Sequence, residues 1–211
     1  MNNVRMRAQR AVWMPLMLCA LLAGCSPAQT APTASASASP TASDTPDWAG
    51  GCGDALRGPL LTMAEHDQLG RTGGDDPESD QQRTDRLRDM IAQCGWPGFD
   101  DVGEDGEDAA WLIAQHSDLD PDFQATAVEL LRAEVERENA TPANLAYLED
   151  RVLSGREKPQ VYGTQVSCGP DGLEPAIGLI DPEEVDARRA EVGLESLDEY
   201  YASFGEDPCG E

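Results

Sequence analysis

Four cysteines set the tightest limit on how this chain can fold. Cys52, Cys94, Cys168 and Cys209 are spread over the C-terminal three quarters of the sequence, and none sits in a CxxC pair. The chain has only two histidines, His66 and His116. A structural zinc site needs four closely spaced thiolate or imidazole ligands, so this pattern argues against a metal. An even set of cysteines in an exported chain reads instead as two disulfides. Three pairings are open, and the coarse helix pattern favours one. Residues 54–69 and 80–93 read as two helices, and in an antiparallel hairpin Cys52 and Cys94 fall at the same end. Cys168 then pairs with Cys209 and ties down the C-terminus. A loop of the Cys52–Cys94 size stabilises by about 4 kcal/mol in the chain-entropy model.

The N-terminus supports export. MNNVRMRAQR carries three arginines and no acid, and AVWMPLMLCALLA follows as a short apolar run. This is the layout of a secretory signal, and it is short for a membrane span. The run ends in Leu22-Ala23-Gly24-Cys25, which resembles the lipobox of bacterial lipoproteins. By that resemblance residues 1–24 are removed and Cys25 carries the acyl chains. Each buried methylene adds roughly 0.8 kcal/mol, so two or three chains hold the protein to the cell membrane with its domain on the extracytoplasmic side. Residues 25–47 are Ser, Ala, Thr and Pro with almost no large apolar side chain. Such a segment cannot bury enough surface to offset its conformational entropy, and it reads as a disordered tether. The folded part is then residues 48–211, one domain of ordinary size.

Charge narrows the partners. The chain has 40 acidic and 15 basic side chains, a formal charge of −25, and loss of the three signal arginines takes it to −28. Phosphate backbones are repelled by such a surface, so nucleic acid is not an expected partner. The membrane partner is expected through the lipid on Cys25, not through the domain surface.

The fold class reads as mainly α, a single domain of six to seven helices with a small β-hairpin near residues 159–180. Helix one is PLLTMAEHDQLG, and helix two ends at Gly95, with Leu87, Met90, Ile91 and Cys94 on one face. GWPGFDDVGEDGED reads as a loop, followed by helix three, EDAAWLIAQH. Ala109, Leu112, Ile113 and His116 share a face there. Asp120-Pro121 and Thr141-Pro142 each give an N-cap followed by a first-turn proline for helices four and five. The period then changes to that of strands around the Asp171-Gly172 turn. Asp181-Pro182 opens helix six, and Ser196 with Glu199 opens a last short helix.

The ordered set GWPG (95–98), AWLIAQHSD (110–118), LAYLEDRVL (145–153), PQVYGTQ (159–165) and VDARRAEVGL (185–194), with HDQLGR at 66–71, resembles an uncharacterised bacterial domain family over nearly all of residues 55–201. That family has no assigned reaction. The resemblance implies that Asp67, Gln68, Arg71, Gln115, His116, Asp118, Asp150, Arg151, Gln160, Tyr162, Thr164, Gln165 and Arg189 are its signature polar positions.

The chemistry centres on His116. A histidine titrates near neutral pH when unperturbed and can serve as base, acid or ligand. Asp118 cannot share its helical face, so a carboxylate partner must come from elsewhere, such as Asp67 or Asp150. The candidate catalytic pair is His116 with Asp150. Gln115, His116, Gln160, Tyr162, Thr164, Gln165 and Arg189 form the candidate binding set, since neutral hydrogen-bonders with an arginine can hold a polar ligand. There is no GxSxG serine, the loop at 101–112 lacks the position-12 glutamate of an EF-hand, and no cofactor is expected. Three functions stay open: an envelope lipoprotein that binds a small polar ligand or protein partner, a hydrolase- or transferase-like enzyme with His116 as base, or a purely structural surface protein. Against the first two stands a bland alternative, in which His116 is a core residue with both nitrogens satisfied.

Overall fold

The structure, a computed structural model, describes residues 51–170 and 172–210. The expected signal, the lipidated Cys25, the tether and Asp171 of the hairpin turn lie outside the described residues. A 3-10 turn, Gly53–Leu56, leads into α1 (Arg57–Arg71). Leu60 and Met63 are fully buried along α1, and the same face carries Asp67 one turn further on. α2 (Asp80–Cys94) starts at a capping box in which Ser79 Oγ accepts from the Gln82 amide and the Gln82 side chain accepts from the Ser79 amide. It stops at Gly95, whose φ of 81° suits a residue without Cβ.

α3 spans Phe99–Gln115 and corrects the expected loop. The Gly- and Asp-rich start is helical, interrupted only at Gly103, which takes φ 73° and ψ 172°. Local propensity disfavours this helix, and tertiary contacts override it. The Phe99 amide donates to Asn139 O and the Asp100 amide to Asn139 Oδ1, so a distant residue caps the N-terminus. Val102 and Gly106 are buried behind that cap.

α4 (Pro121–Glu136) begins as the sequence indicates, with Asp120 Oδ1 accepting from the Phe123 amide at 2.9 Å. α5 (Pro142–Gly155) also begins at its proline, but Thr141 does not cap it. The Thr141 hydroxyl donates instead to Glu107 Oε2 at 3.1 Å. α1 lies along α3, α4 lies along α5, and α3 joins the two pairs. The core runs between them through Leu56, Leu60, Leu87, Trp96, Ile113, Leu131 and Leu148.

The β element is smaller than expected. β1 (Val166–Gly169) and β2 (Gly172–Pro175) pair antiparallel, with Val166 opposite Pro175. Residues 159–165, which read as strand, form a loop with one bridge from Gln160 to Leu179. A 3-10 turn, Pro182–Glu184, precedes α6 (Val185–Glu191), so the sixth helix starts later than expected. Asp181 sits in the left-handed region at φ 42° and makes no cap bond. α7 (Leu197–Ala202) has the expected Ser196–Glu199 capping box.

Two disulfides join Cys52 to Cys94 and Cys168 to Cys209, the favoured pairing. The first holds the start of α1 to the end of α2, and the second fastens the segment after α7 to β1. Their presence fits a non-reducing, extracytoplasmic compartment. Among the described residues no helix is long and apolar enough to cross a membrane.

Packing of α3 on α5 buries one acid completely. Glu107 is 0% exposed, and its Oε2 accepts from Thr141 and from Asn144 Nδ2 at 3.0 Å. Burial pushes its pKa up; the Thr141 hydrogen bond opposes this, the neighbouring Asp108 carboxylate adds to it, and the net value is about 7. A raised folded-state value means that the stability contributed by the neutral form is complete below the unfolded value and lost as pH rises through about 7. Glu107→Gln keeps the shape and cannot ionise. Denaturant unfolding of both proteins at pH 4 and pH 8 is expected to show the variant gaining about 3 kcal/mol on wild type across that interval. Parallel curves would mean that Glu107 does not titrate in the fold.

Candidate functional site

The periodicity that buries Leu60 and Met63 also buries Asp67, which is 1% exposed. A carboxylate there must find donors inside the protein. His116 supplies one: it caps the C-terminus of α3, and its Nδ1 lies 2.8 Å from Asp67 Oδ2. Gln68 Nε2 donates to the same oxygen at 2.8 Å, and Arg71 NH2 donates to Oδ1 at 2.9 Å. Arg71 Nε is 3.1 Å from both oxygens and 3.0 Å from His116 Nδ1. Both nitrogens are best satisfied as donors to the carboxylate between them, which puts the imidazole proton on Nδ1. Burial alone would raise the Asp67 pKa; the bonds from His116 and Arg71 overcome it and hold the group at about 2. His116 Nε2 makes no hydrogen bond among the described residues, and the side chain is 16% exposed.

Further ion pairs lock this arrangement. Arg71 NH2 also donates to Asp80 Oδ1 at 3.0 Å. The buried Arg83 donates to Asp80 at 2.6 Å and to Asp76 at 2.8 Å, and stands 3.8 Å from Asp67. Ser117 Oγ takes a hydrogen bond from Thr84 Oγ1 at 2.8 Å and gives one to Ile113 O, so it is no free nucleophile.

Past the end of α3, Asp118 turns to α5. It accepts from Arg151 Nε at 2.9 Å and from Arg151 NH2, and from Gln124 Nε2 at 3.1 Å. The surrounding protein disfavours its charge, but Arg151 outweighs that, and the pKa lies below the ordinary value. Arg151 NH1 also donates to Gln165 Oε1 at 3.0 Å.

Asp150 is not the carboxylate beside His116. It is 0% exposed, and its oxygens accept from the amides of Val161 at 2.7 Å, Tyr162 at 3.2 Å and Thr164 at 2.9 Å, and from Thr164 Oγ1 at 3.1 Å. The carboxylate organises the 160–165 loop, which is why strand propensity loses there. The Gln160 side chain clamps that loop from within: its Nε2 donates to Gln165 O and its Oε1 accepts from the Gln165 amide, both at 2.8 Å. The Tyr200 hydroxyl donates to Thr164 O at 2.9 Å. Arg189 NH1 donates to Tyr162 O at 2.8 Å, with its guanidinium 4.9 Å from the centre of the Tyr200 ring. Gly163 has φ 70°, and a Cβ there would meet Leu179 and Leu197 side-chain atoms at 3.1 Å.

The candidate set therefore divides. Gln160, Thr164, Gln165 and Arg189 spend their polar atoms mainly on building the loop, and Tyr162 lends it backbone groups. Gln115 is 3% exposed, yet neither of its amide atoms finds a partner among the described residues. His116 and Gln115 keep bonding capacity, and so does Arg189, whose NH2 is buried without a partner among the described residues. His66 sits 3.4 Å from Glu78 on the far side of its helix turn and joins neither group. Sequence reasoning missed Arg83, Thr84 and Ser117, whose signal was weak: polar residues on otherwise ordinary helix faces. No group of three or more His, Cys, Asp or Glu among the described residues is placed to hold a metal ion.

Asp150→Asn is expected to lose about 3 kcal/mol of stability, because the amide Nδ2 faces backbone N–H donors that a carboxylate had satisfied. Denaturant unfolding measures the loss, and limited proteolysis should cut faster within residues 159–165. A loss below about 1 kcal/mol would mean that the loop holds without the carboxylate.

Curated proteins and solved structures gave no match to this chain. A family model does match, over residues 56–210, and takes in α1 through α7 with the Asp67–His116 cluster and the Asp150 loop. The chain belongs to that family, described as a family of unknown function (DUF6624).

Proposed function

We propose that this is a lipid-anchored extracytoplasmic domain that binds a small polar ligand through His116. The observation that carries the reading is the state of the imidazole. Nδ1 is held against Asp67 at 2.8 Å, while Nε2 makes no hydrogen bond among the described residues. A histidine kept for packing has both nitrogens satisfied; one kept for a ligand has its second nitrogen available and its tautomer fixed by the first. Arg71 Nε stands 3.0 Å from Nδ1, on the Asp67 side of the ring, so the guanidinium helps fix the imidazole and leaves Nε2 to the other side. The N-terminal Leu22-Ala23-Gly24-Cys25 and the low-complexity segment after it support the anchor and tether. The two disulfides support the oxidising side of the membrane.

A second reading shares the geometry. An imidazole oriented by a buried carboxylate, with a lone pair on Nε2, is the arrangement of a general base. Asp67 fills the orienting role that the sequence left between Asp67 and Asp150. The readings separate by turnover: a binding site returns its ligand unchanged.

His116→Ala is expected to cost only about 1 kcal/mol, since Asp67 keeps Arg71 and Gln68. Diethyl pyrocarbonate should carbethoxylate His116 in the folded wild type, with the site assigned by mass spectrometry. Compounds from a library of small polar molecules that raise the wild-type melting temperature should leave His116→Ala unmoved. A loss above about 3 kcal/mol together with an unreactive His116 would make the residue structural and sink the proposal.

A further inference from the structure

α3 carries a stripe of side chains at i, i+4 and i+8, Glu107, Trp111 and Gln115, the first two of which meet α5. At 1.5 Å per residue the stripe is about 12 Å long. α5 meets it with Thr141 just before the helix, Asn144 one turn in, and Tyr147 one turn further. The first two donate to Glu107 Oε2, and the Tyr147 ring stands edge-on to Trp111 with centroids 6.0 Å apart.

Four polar atoms of this stripe are buried without a hydrogen-bond partner among the described residues: Glu107 Oε1, Trp111 Nε1, Gln115 Oε1 and Gln115 Nε2. Glu107 is 0% exposed and Gln115 3%. Five further orphans fall one to a residue elsewhere among the described residues; folded proteins satisfy about nine in ten such groups. Four on consecutive turns of one helix face point to a common ligand. The indole N–H and the amide NH2 donate, the amide oxygen accepts, and Glu107 Oε1 donates while the carboxyl is protonated and accepts once it ionises. A ligand that bonds to all of them must both donate and accept, carry no net charge, and fit between two packed helices. Water meets those requirements and bonds to two to four polar groups at a time in protein interiors.

We propose that the seam between α3 and α5 is a water-binding site, in which ordered waters bridge Glu107 Oε1, the Trp111 indole and the Gln115 amide. The site does not depend on the His116 reading. It makes the α3–α5 contact a hydrated joint instead of a dry one, and it gives the buried Glu107 carboxyl a polar neighbour on its open side.

The test is water-to-protein cross-relaxation in the full chain by NMR, read at the Trp111 indole N–H, which is assigned by its disappearance in Trp111→Phe. Rotating-frame cross-relaxation has the opposite sign to proton exchange, so a bound water is told from an exchanging proton. The expected result is a water cross-peak at the Trp111 indole, reduced at least twofold in Gln115→Met and unchanged in His116→Ala. No cross-peak in the wild type overturns the proposal, and needs no variant to fold. A cross-peak that persists at full strength in folded Gln115→Met overturns the bridging arrangement.

Discussion

The Asp67 carboxylate is the interaction from which the rest of the site follows. A charge with 1% exposure would unfold this region if its partners were removed, so the neighbouring elements are arranged to supply them. Arg71 comes from the same helix, Arg83 from α2 and His116 from the end of α3. Each of those cations or donors is itself held by a second acid or by the helix frame. Holding Asp67 at about 2 against an ordinary 3.8 corresponds to about 2 kcal/mol. Because the value is depressed, that stability is present above the ordinary carboxylate range and is lost as pH falls through about 2.

Three of the buried carboxylates, Asp67, Asp150 and Glu107, show how the partner decides the outcome. Asp67 has cationic partners, and its pKa falls. Asp150 has burial opposed by only neutral donors, the amides of Thr164, Val161 and Tyr162 and the Thr164 hydroxyl, and its pKa lies above the ordinary value. Glu107 has two neutral donors on one oxygen and rises to about 7. Burial acts on all three in the same direction; what differs is whether a positive charge or a dipole answers it. The same distinction separates their roles. The cation-bound acid can fix a histidine, the amide-bound acid shapes a loop, and the sparsely bound acid sits in a polar seam.

Much of this architecture is legible in the sequence where the signals are local. Asp120-Pro121, Ser196 with Glu199, and Gly95 place their helix ends correctly because a cap involves residues three or four apart. The disulfide pairing was reachable because it rests on two helix ends. The failures are equally physical. α3 starts at Phe99 because Asn139, forty residues away, caps it. PQVYGTQ has strand composition and becomes a loop because Asp150 gathers its amides. Helical spacing puts His116 on an inward face, but choosing Asp67 over Asp150 required a contact spanning 49 positions. Gln160, Thr164 and Gln165 looked like ligand groups because amides and hydroxyls serve loops and ligands alike; only their hydrogen bonds within the fold tell the two apart.

On the proposed binding role, charge bears on which ligand His116 would receive. The chain carries a formal −25, and acids ring the cluster at Asp80, Asp76 and Asp118. Arg71, Arg83 and Arg151 answer these three and Asp67 together, four carboxylates against three guanidiniums, so the immediate surroundings of the imidazole keep a net negative charge. Beyond roughly one Debye length, about 8 Å at physiological salt, local pairing gives way to the field of the whole surface. That field repels anions on approach and offers little gain to compensate, because the arginines nearest the site are already committed to aspartates. A neutral ligand pays no such penalty, and it can still use Nε2 as acceptor. The combination of an acidic surface, paired cations and one open imidazole nitrogen therefore favours a neutral molecule with a hydroxyl or amide donor over a phosphate or carboxylate.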